Sequence, residues 1–203
     1  MTETVYNCKY GDKISFDKGY TSIRGKLRIK YFIKNIMPKD TDVILEIGCN
    51  KGDISKELMK KTDNVYGIDI NREMINKIAS KNFLYMSAMD LKFPDASFNK
   101  VCSFEVLEHI PDIKKVFKEV YRVLALDGIF IFSFPMELIR GQNAVFDSLL
   151  VYKHPFMARK LHIHKLNPNK IKELIQDIPF ELIEKKVLFL PFPLYLMILK
   201  KSS

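Results

Sequence analysis

The chain is predicted to be an α/β protein: a doubly wound, mostly parallel seven-stranded sheet with helices on both faces, one antiparallel edge strand, and a lid insertion after strand five. Two observations predict this. From residue 43 to residue 135, short continuous apolar runs alternate with amphipathic stretches, the pattern of a parallel sheet covered on both faces. Right-handed crossovers between parallel strands then enforce the doubly wound order. Beyond residue 135 the rhythm stops, and a helix and two apolar runs close the chain.

The elements follow in order. Residues 22–35, "SIRGKLRIKYFIKN", form a basic helix with Ile23, Leu27, Tyr31 and Ile33 toward one side. "VILEIG" is a short buried strand, "DISKELMKK" a helix and "NVYGIDI" a second strand. Asn71 caps the helix "REMINKIASK". "FLYMSA" is the third strand and "KVCSFEVL" the fourth. Asp112 caps a helix whose apolar positions, Ile113, Val116, Phe117, Val120 and Leu124, recur every three or four residues. Asp127–Gly128 ends it, and "IFIFSF" is the fifth strand.

Residues 136–166 are too long for a plain connection and read as the lid or substrate insertion. Asn167 and Pro168 restart a helix, with Asn as cap and Pro in the first turn. Its face carries Ile171, Leu174, Ile175 and Ile178. "FELIEKKVLFL" and "LYLMILKK" are the closing strands, a hairpin-like pair around "PFP".

The chain has 203 residues and a net charge of +9, with 47% hydrophobic and 28% charged residues. That composition supports a packed core and excludes a disordered chain. Lysines outnumber arginines and both signs of charge are interspersed, which describes a solvated surface better than a dedicated anion-binding face. Cys8, Cys49 and Cys102 are odd in number and lack metal-ligand spacing, so neither a disulfide framework nor a zinc knuckle is suggested. The run over residues 187–199 is thirteen residues, broken by Pro191 and Pro193. A transmembrane helix needs about 20. With no signal-peptide core at the N-terminus, the expected location is cytoplasmic.

In open parallel sheets, ligands bind outside the carboxyl ends of the strands. "EIGCNKG" lies at such an end. Gly48 and Gly52 allow close backbone approach or positive φ. Asn50, where a third glycine would sit, tolerates left-handed φ better than most residues. Asp69 ends the second strand, 23 residues after Glu46. A carboxylate there accepts hydrogen bonds from two ribose hydroxyls. A dinucleotide fits less well. Asp53 sits where pyrophosphate would need donors, and Glu46 suits a cofactor carrying cationic groups.

Residues 42–135 resemble the class I S-adenosylmethionine-dependent methyltransferases, in particular the small subgroup that includes quinone-biosynthesis methyltransferases. The resemblance rests on "VILEIGCNKGDIS", "VYGIDINREMI", "DLKFPDASFNKVCSFEVLEHI" and "FKEVYRVLALDGIFIFSFP", in family order and spacing. It implies a Rossmann-like fold and S-adenosyl-L-methionine as cofactor. Glu46, Gly48, Cys49, Asn50 and Gly52 would form the loop around its amino-acid part. Asp69 would hold the ribose, with Ile70 near the adenine. Ser87–Ala88 stands where the family has an acid and alanine facing the adenine. Ser103 and Phe104 would face the reactive methyl. Asn50, Ser87, Asn99 and the turn "ALDG" depart from the family pattern. The implied organisation is one domain over 1–203: a helical cover over 1–40, a cofactor-binding core over 42–135, the insertion over 136–166, and the closing helix and strands over 167–203.

Methyl transfer from a sulfonium has a good leaving group, so positioning and desolvation suffice, and no catalytic residue is assigned. The expected reaction is methylation of a small or lipid-linked metabolite. Two alternatives stand beside it. Glu105, Glu108 and His109, with His162 or His164, resemble a cation-holding cluster of certain quinone and RNA-end oxygen methyltransferases, where a metal would lower a hydroxyl pKa. The plainer reading makes "LEH" structural, and no metal residue is assigned. Alternatively, Asn50 and Ser87 mark a non-catalytic cofactor-binding protein. Arg24 and Arg28 would reach the cofactor carboxylate if the first helix covers the site.

In the insertion, Phe146, Leu149, Leu150, Tyr152, Phe156 and Met157 alternate with Lys153, Arg159, Lys160 and Lys165, with His154 among them. Aromatics among cations suit nucleic acid, an amphipathic pocket or a small helical core, and nucleic acid is the less favoured. The basic-ended apolar C-terminus also suits peripheral contact with a membrane surface, although two buried strands explain it more simply.

Overall fold

The computed structural model describes residues 23–136, 162–188 and 193–202. Most of the expected lid, including His154 and its aromatics, lies outside the described residues, as do Cys8 and the side chains of Ile23 and Arg24. The described elements are α1 (Ile23–Ile36), β1 (Ile44–Ile47), α2 (Asp53–Leu58), β2 (Val65–Asp69), α3 (Arg72–Ile78), β3 (Phe83–Tyr85) and β4 (Phe98–Phe104). A 3₁₀ turn (Leu107–His109), α4 (Ile113–Val123), β5 (Leu124–Pro135), α5 (Pro168–Leu174), β6 (Phe180–Leu188) and β7 (Leu194–Lys201) complete them. Among them, no helix is long and apolar enough to cross a membrane.

The seven strands form one sheet in the order β3-β2-β1-β4-β5-β7-β6. The first five are mutually parallel, and β7 runs antiparallel to both β5 and β6. The antiparallel strand expected at the edge therefore lies one place in from it. The β6–β7 pairing inserts β7 against β5 and leaves β6 outermost. The chain order reverses direction between β1 and β4, which opens a crevice at their carboxyl ends.

Alternation along the strands separates two cores. Leu45, Ile47, Val101, Phe130 and Phe132 face α4, where Val116, Phe117 and Val120 are buried with them. Ile44, Cys102, Phe104 and Ile131 face α1 and α2. The three expected caps form: Asn71 accepts from Met74 N at 3.2 Å, Asp112 from Lys115 N at 3.0 Å, and Asn167 from Lys170 N at 2.9 Å.

The first helix is rotated from its expected face. Leu27 is 56% exposed, while Ile29, Phe32 and Ile36 are buried. Apolar residues occur almost all around this helix, so two stripes of helical spacing compete. The stripe that wins inserts Phe32 against Phe104, with ring centroids 4.9 Å apart. It also buries Arg28.

Candidate active site at the carboxyl end of the sheet

The loop after β1 is built on left-handed backbone. Gly48 and Gly52 have φ +74° and Asn50 has φ +47°. Gly48 N and Cys49 N both donate to Ile68 O, at 2.8 and 3.0 Å, which draws the loop across the end of β2. A methyl group on Gly48 would stand 2.4 Å from Val106 Cγ2. The loops after β1 and β4 therefore meet with no room for a side chain, a contact unannounced by the sequence.

Asp69 stands at the rim, half-buried. Its Oδ2 accepts from Asn50 N and its Oδ1 from Asn71 N, each at 2.8 Å. Burial raises its pKa, opposed by those amides. Each carboxylate oxygen has a second lone pair, so two ribose hydroxyls can still donate to it. The free acceptor positions of Asp69 therefore fit the sugar hydroxyls of a nucleoside cofactor.

Glu46 is placed behind the loop. It is 3% exposed, and Ser55 Oγ, from α2, donates to its Oε2. Burial pushes its pKa up to about 8, against the Ser55 hydrogen bonds. Cys49 turns into a small core with Ile75 and Phe83, and burial raises its thiol pKa strongly. Gly52 closes the turn by donating to Cys49 O at 2.7 Å. Ile70 is half-buried beside Asp69. After β3, Ser87 Oγ accepts from Met89 N at 3.2 Å, and Ala88 is buried.

At the end of β4, Ser103 is fully buried, and its hydroxyl has no hydrogen-bond partner among the described residues. Phe104 is roofed by α1: Phe32 packs on it and the Arg28 guanidinium carbon lies 5.1 Å from its ring centre. Arg28 also forms a buried ion pair with Glu105, whose backbone is left-handed at φ +53°. The sequence reading takes Arg28 toward a cofactor carboxylate; in the structure Arg28 meets the carboxylate of Glu105 beside Phe104. Asn99, which departs from the family pattern, accepts from Val43 N at 2.8 Å and donates to Asp42 Oδ1 at 3.2 Å. An acid could not make both bonds.

The expected metal candidates divide into two groups. Glu108, His109 and His162 come together, with potential ligand atoms within 4.8 Å of one another. Glu105 is held by Arg28. His164 directs Nε2 to the carbonyls of Ile110 and Pro111, at 3.0 and 3.1 Å.

Comparison with known proteins agrees with this geometry. Residues 45–132 match the family model described as a methyltransferase domain. The chain is 35% identical over 98 residues to a sterol 24-C-methyltransferase of Aspergillus fumigatus, covering 43% of this chain and 26% of that protein. It is 35% identical over 112 residues to a demethylmenaquinone methyltransferase of Lactobacillus johnsonii, covering 49% and 46%. It thus spans about half the length, or less, of these curated relatives. A solved S-adenosylmethionine-dependent methyltransferase from Methanosarcina mazei superposes with a TM-score of 0.63 at 25% identity, over 84% of this chain and 96% of that one. The methyltransferase-domain match over residues 45–132 and these relatives support a class I S-adenosylmethionine-dependent methyltransferase.

Proposed function

We propose that this chain, as one domain over 1–203, transfers a methyl group from S-adenosyl-L-methionine to a small or lipid-linked metabolite, mainly by positioning and desolvation. The observation that carries the reading is Asp69, held between the amides of Asn50 and Asn71 at the mouth of a left-handed glycine loop. When bound, the cofactor supplies an electrophilic methyl on a sulfonium. Asp69 binds the ribose, and Gly48, Asn50 and Gly52 shape the loop around the amino-acid part. Glu46 and Cys49 support that loop from behind. Ile70, Ser87 and Ala88 border the adenine, with Ser87 offering a hydroxyl in place of a charge. Ser103 and Phe104 form the floor toward the methyl, and Phe32 and Arg28 roof it. The sterol and demethylmenaquinone named for two relatives support a lipid-linked acceptor. Free, buried Cys49 and Cys102 support a cytoplasmic setting.

Calorimetry with S-adenosyl-L-methionine and its demethylated product tests this reading. Binding of both, followed by labelled-methyl transfer to a panel of sterols and quinols, is the expected result. No binding at millimolar cofactor overturns it. Binding without transfer to any acceptor favours a cofactor-binding protein without activity.

A further inference from the structure

We infer that the cavity between the starts of α4 and α5 binds an apolar molecule carrying a phosphate group. The cavity has a volume of about 510 Å³, within the range of small-molecule sites, about 300–1,000 Å³. None of its lining residues belongs to the set placed around the cofactor above. The inference therefore goes beyond methyl transfer and does not depend on it.

Three stretches of chain build the walls: residues 111–114 at the start of α4, residues 163–166, and Lys170 and Leu174 of α5. α4 follows β4, and α5 leads into β6, which runs parallel to β5 because both are antiparallel to β7. Both helices therefore start at the carboxyl end of the sheet, the end at which ligands bind in open α/β folds. The protein itself fixes these walls. Ile163 N and His164 N donate to Glu108 O, at 3.0 and 3.3 Å. His164 Nε2 lies 3.0 and 3.1 Å from the carbonyl oxygens of Ile110 and Pro111. Carbonyls only accept, so the proton sits on that nitrogen. Asp112 and Asn167 cap the two helices.

The lining joins two chemistries. Ile113 and Leu166 are buried, Leu174 is half-buried, and Ile163 is 43% exposed. Aliphatic surface left in water at a cavity wall is stabilised when an apolar body covers it. Beside it stand Lys114, Lys165 and Lys170. Lys114 pairs with Asp177 at 2.9 Å. Lys165 and Lys170 have no ion-pair partner among the described residues. Asp112 is the only acid of the lining, and its Oδ1 is taken by Lys115 N at 3.0 Å. A phosphate monoester carries a charge of about −1.5 to −2 at pH 7, which complements those two free ammonium groups; lysine meets phosphate as a point charge. A carboxylate brings only half of that charge, and a free phosphate leaves Ile163 and Leu174 uncovered.

The test is calorimetric titration of the full chain with octyl phosphate, octanoate, octanol and inorganic phosphate, each kept below micelle-forming concentrations. The expected result is one octyl phosphate per chain, bound tighter than each of the other three by about tenfold or more, since each comparison removes a charged contact or the alkyl body. Lys165→Glu combined with Lys170→Glu should weaken octyl phosphate about 100-fold or more. Ile163→Ser should weaken it about tenfold. All three side chains are exposed, and melting curves confirm that the variants fold. No octyl phosphate bound at millimolar concentration by the folded wild-type chain overturns the site. Equal affinity for octanol, octanoate or inorganic phosphate overturns the ligand class. Binding that survives both the lysine and the Ile163 substitutions lies elsewhere and overturns the assignment to this cavity.

Discussion

The main-chain amide of Asn50 donates to Asp69 Oδ2 at 2.8 Å. This bond ties the loop after β1 to the acid that closes β2. It uses the backbone of Asn50, so the side chain at that position is free to depart from glycine provided that the residue accepts φ +47°. Asparagine does so at small cost. The departure that looks most disruptive in sequence therefore leaves the Asp69 geometry intact.

Asp69→Ala should abolish measurable cofactor binding. Hydrogen bonds to a charged group contribute about 1.5–3 kcal/mol each, and the loss of two corresponds to roughly 100-fold or more in affinity. Asn50→Gly keeps the donating amide and should keep the affinity. Calorimetry on both variants checks this, with melting curves to confirm folding. Near-native binding by Asp69→Ala would refute the ribose assignment.

Gly48→Ala should destabilise the fold and close the loop to ligand. The added methyl meets Val106 Cγ2 at 2.4 Å, and the φ of +74° adds about 1 kcal/mol for any L-residue. Crowding of this kind typically costs about 1–3 kcal/mol. Adding Val106→Ala removes the two closest atoms, Cγ1 and Cγ2, and leaves the Val106 Cβ position at 3.2 Å together with the backbone cost. Urea denaturation of the two single variants and the double variant should show recovery of about half the loss or more.

Stability without cofactor should fall as pH rises from about 5 to about 8. Burial raises the pKa of Glu46 to about 8 and raises that of Asp69 as well. Between the unfolded and folded values of a raised carboxyl, the native state holds more protons than the unfolded state, so the unfolding free energy decreases with pH. The Glu46 contribution is present below the unfolded carboxyl pKa and is lost through the folded value near 8. Glu46→Gln should flatten the profile, because the amide still accepts from Ser55. A wild-type melting temperature independent of pH across this window would contradict the assignment.

The strand and helix sequence of the core was legible because its signals are local. Continuous apolar runs mark β1, β2 and β4, and single polar residues, Asn71, Asp112 and Asn167, begin their helices as side-chain caps. Residues of the candidate site were legible where they sit at strand ends, as Gly48 and Asp69 do. The face of α1 was not, because its apolar residues encircle the helix and only contact with Phe104 selects Phe32 over Leu27. Arg28 and Glu105 lie 77 residues apart, and no periodicity links them. Val106 against Gly48 is equally silent, a steric contact between two loops.

Breaking the Arg28–Glu105 pair from one side should cost more than removing it whole. Both side chains are largely buried. Removing one partner strands the other charge, at about 3–5 kcal/mol, whereas an apolar pair of similar volume is often neutral. Arg28→Met and Glu105→Met should each destabilise strongly, and the double variant should be more stable than either single one. Additive losses in a double-mutant cycle would mean that the pair does not couple α1 to the floor of the site.

Ser103→Ala should stabilise the chain while leaving cofactor affinity nearly unchanged. The serine is fully buried on the face covered by α4, and its hydroxyl lacks a hydrogen-bond partner among the described residues. A buried hydroxyl without a partner costs about 1–3 kcal/mol, and alanine removes it with little loss of volume, so a gain of about 1 kcal/mol is expected. Chemical denaturation measures the gain, and calorimetry measures the affinity. If Ser103→Ala instead loses cofactor affinity tenfold or more, the hydroxyl finds its partner in the bound ligand, and Ser103 contributes to the floor through its side chain and not by its backbone alone.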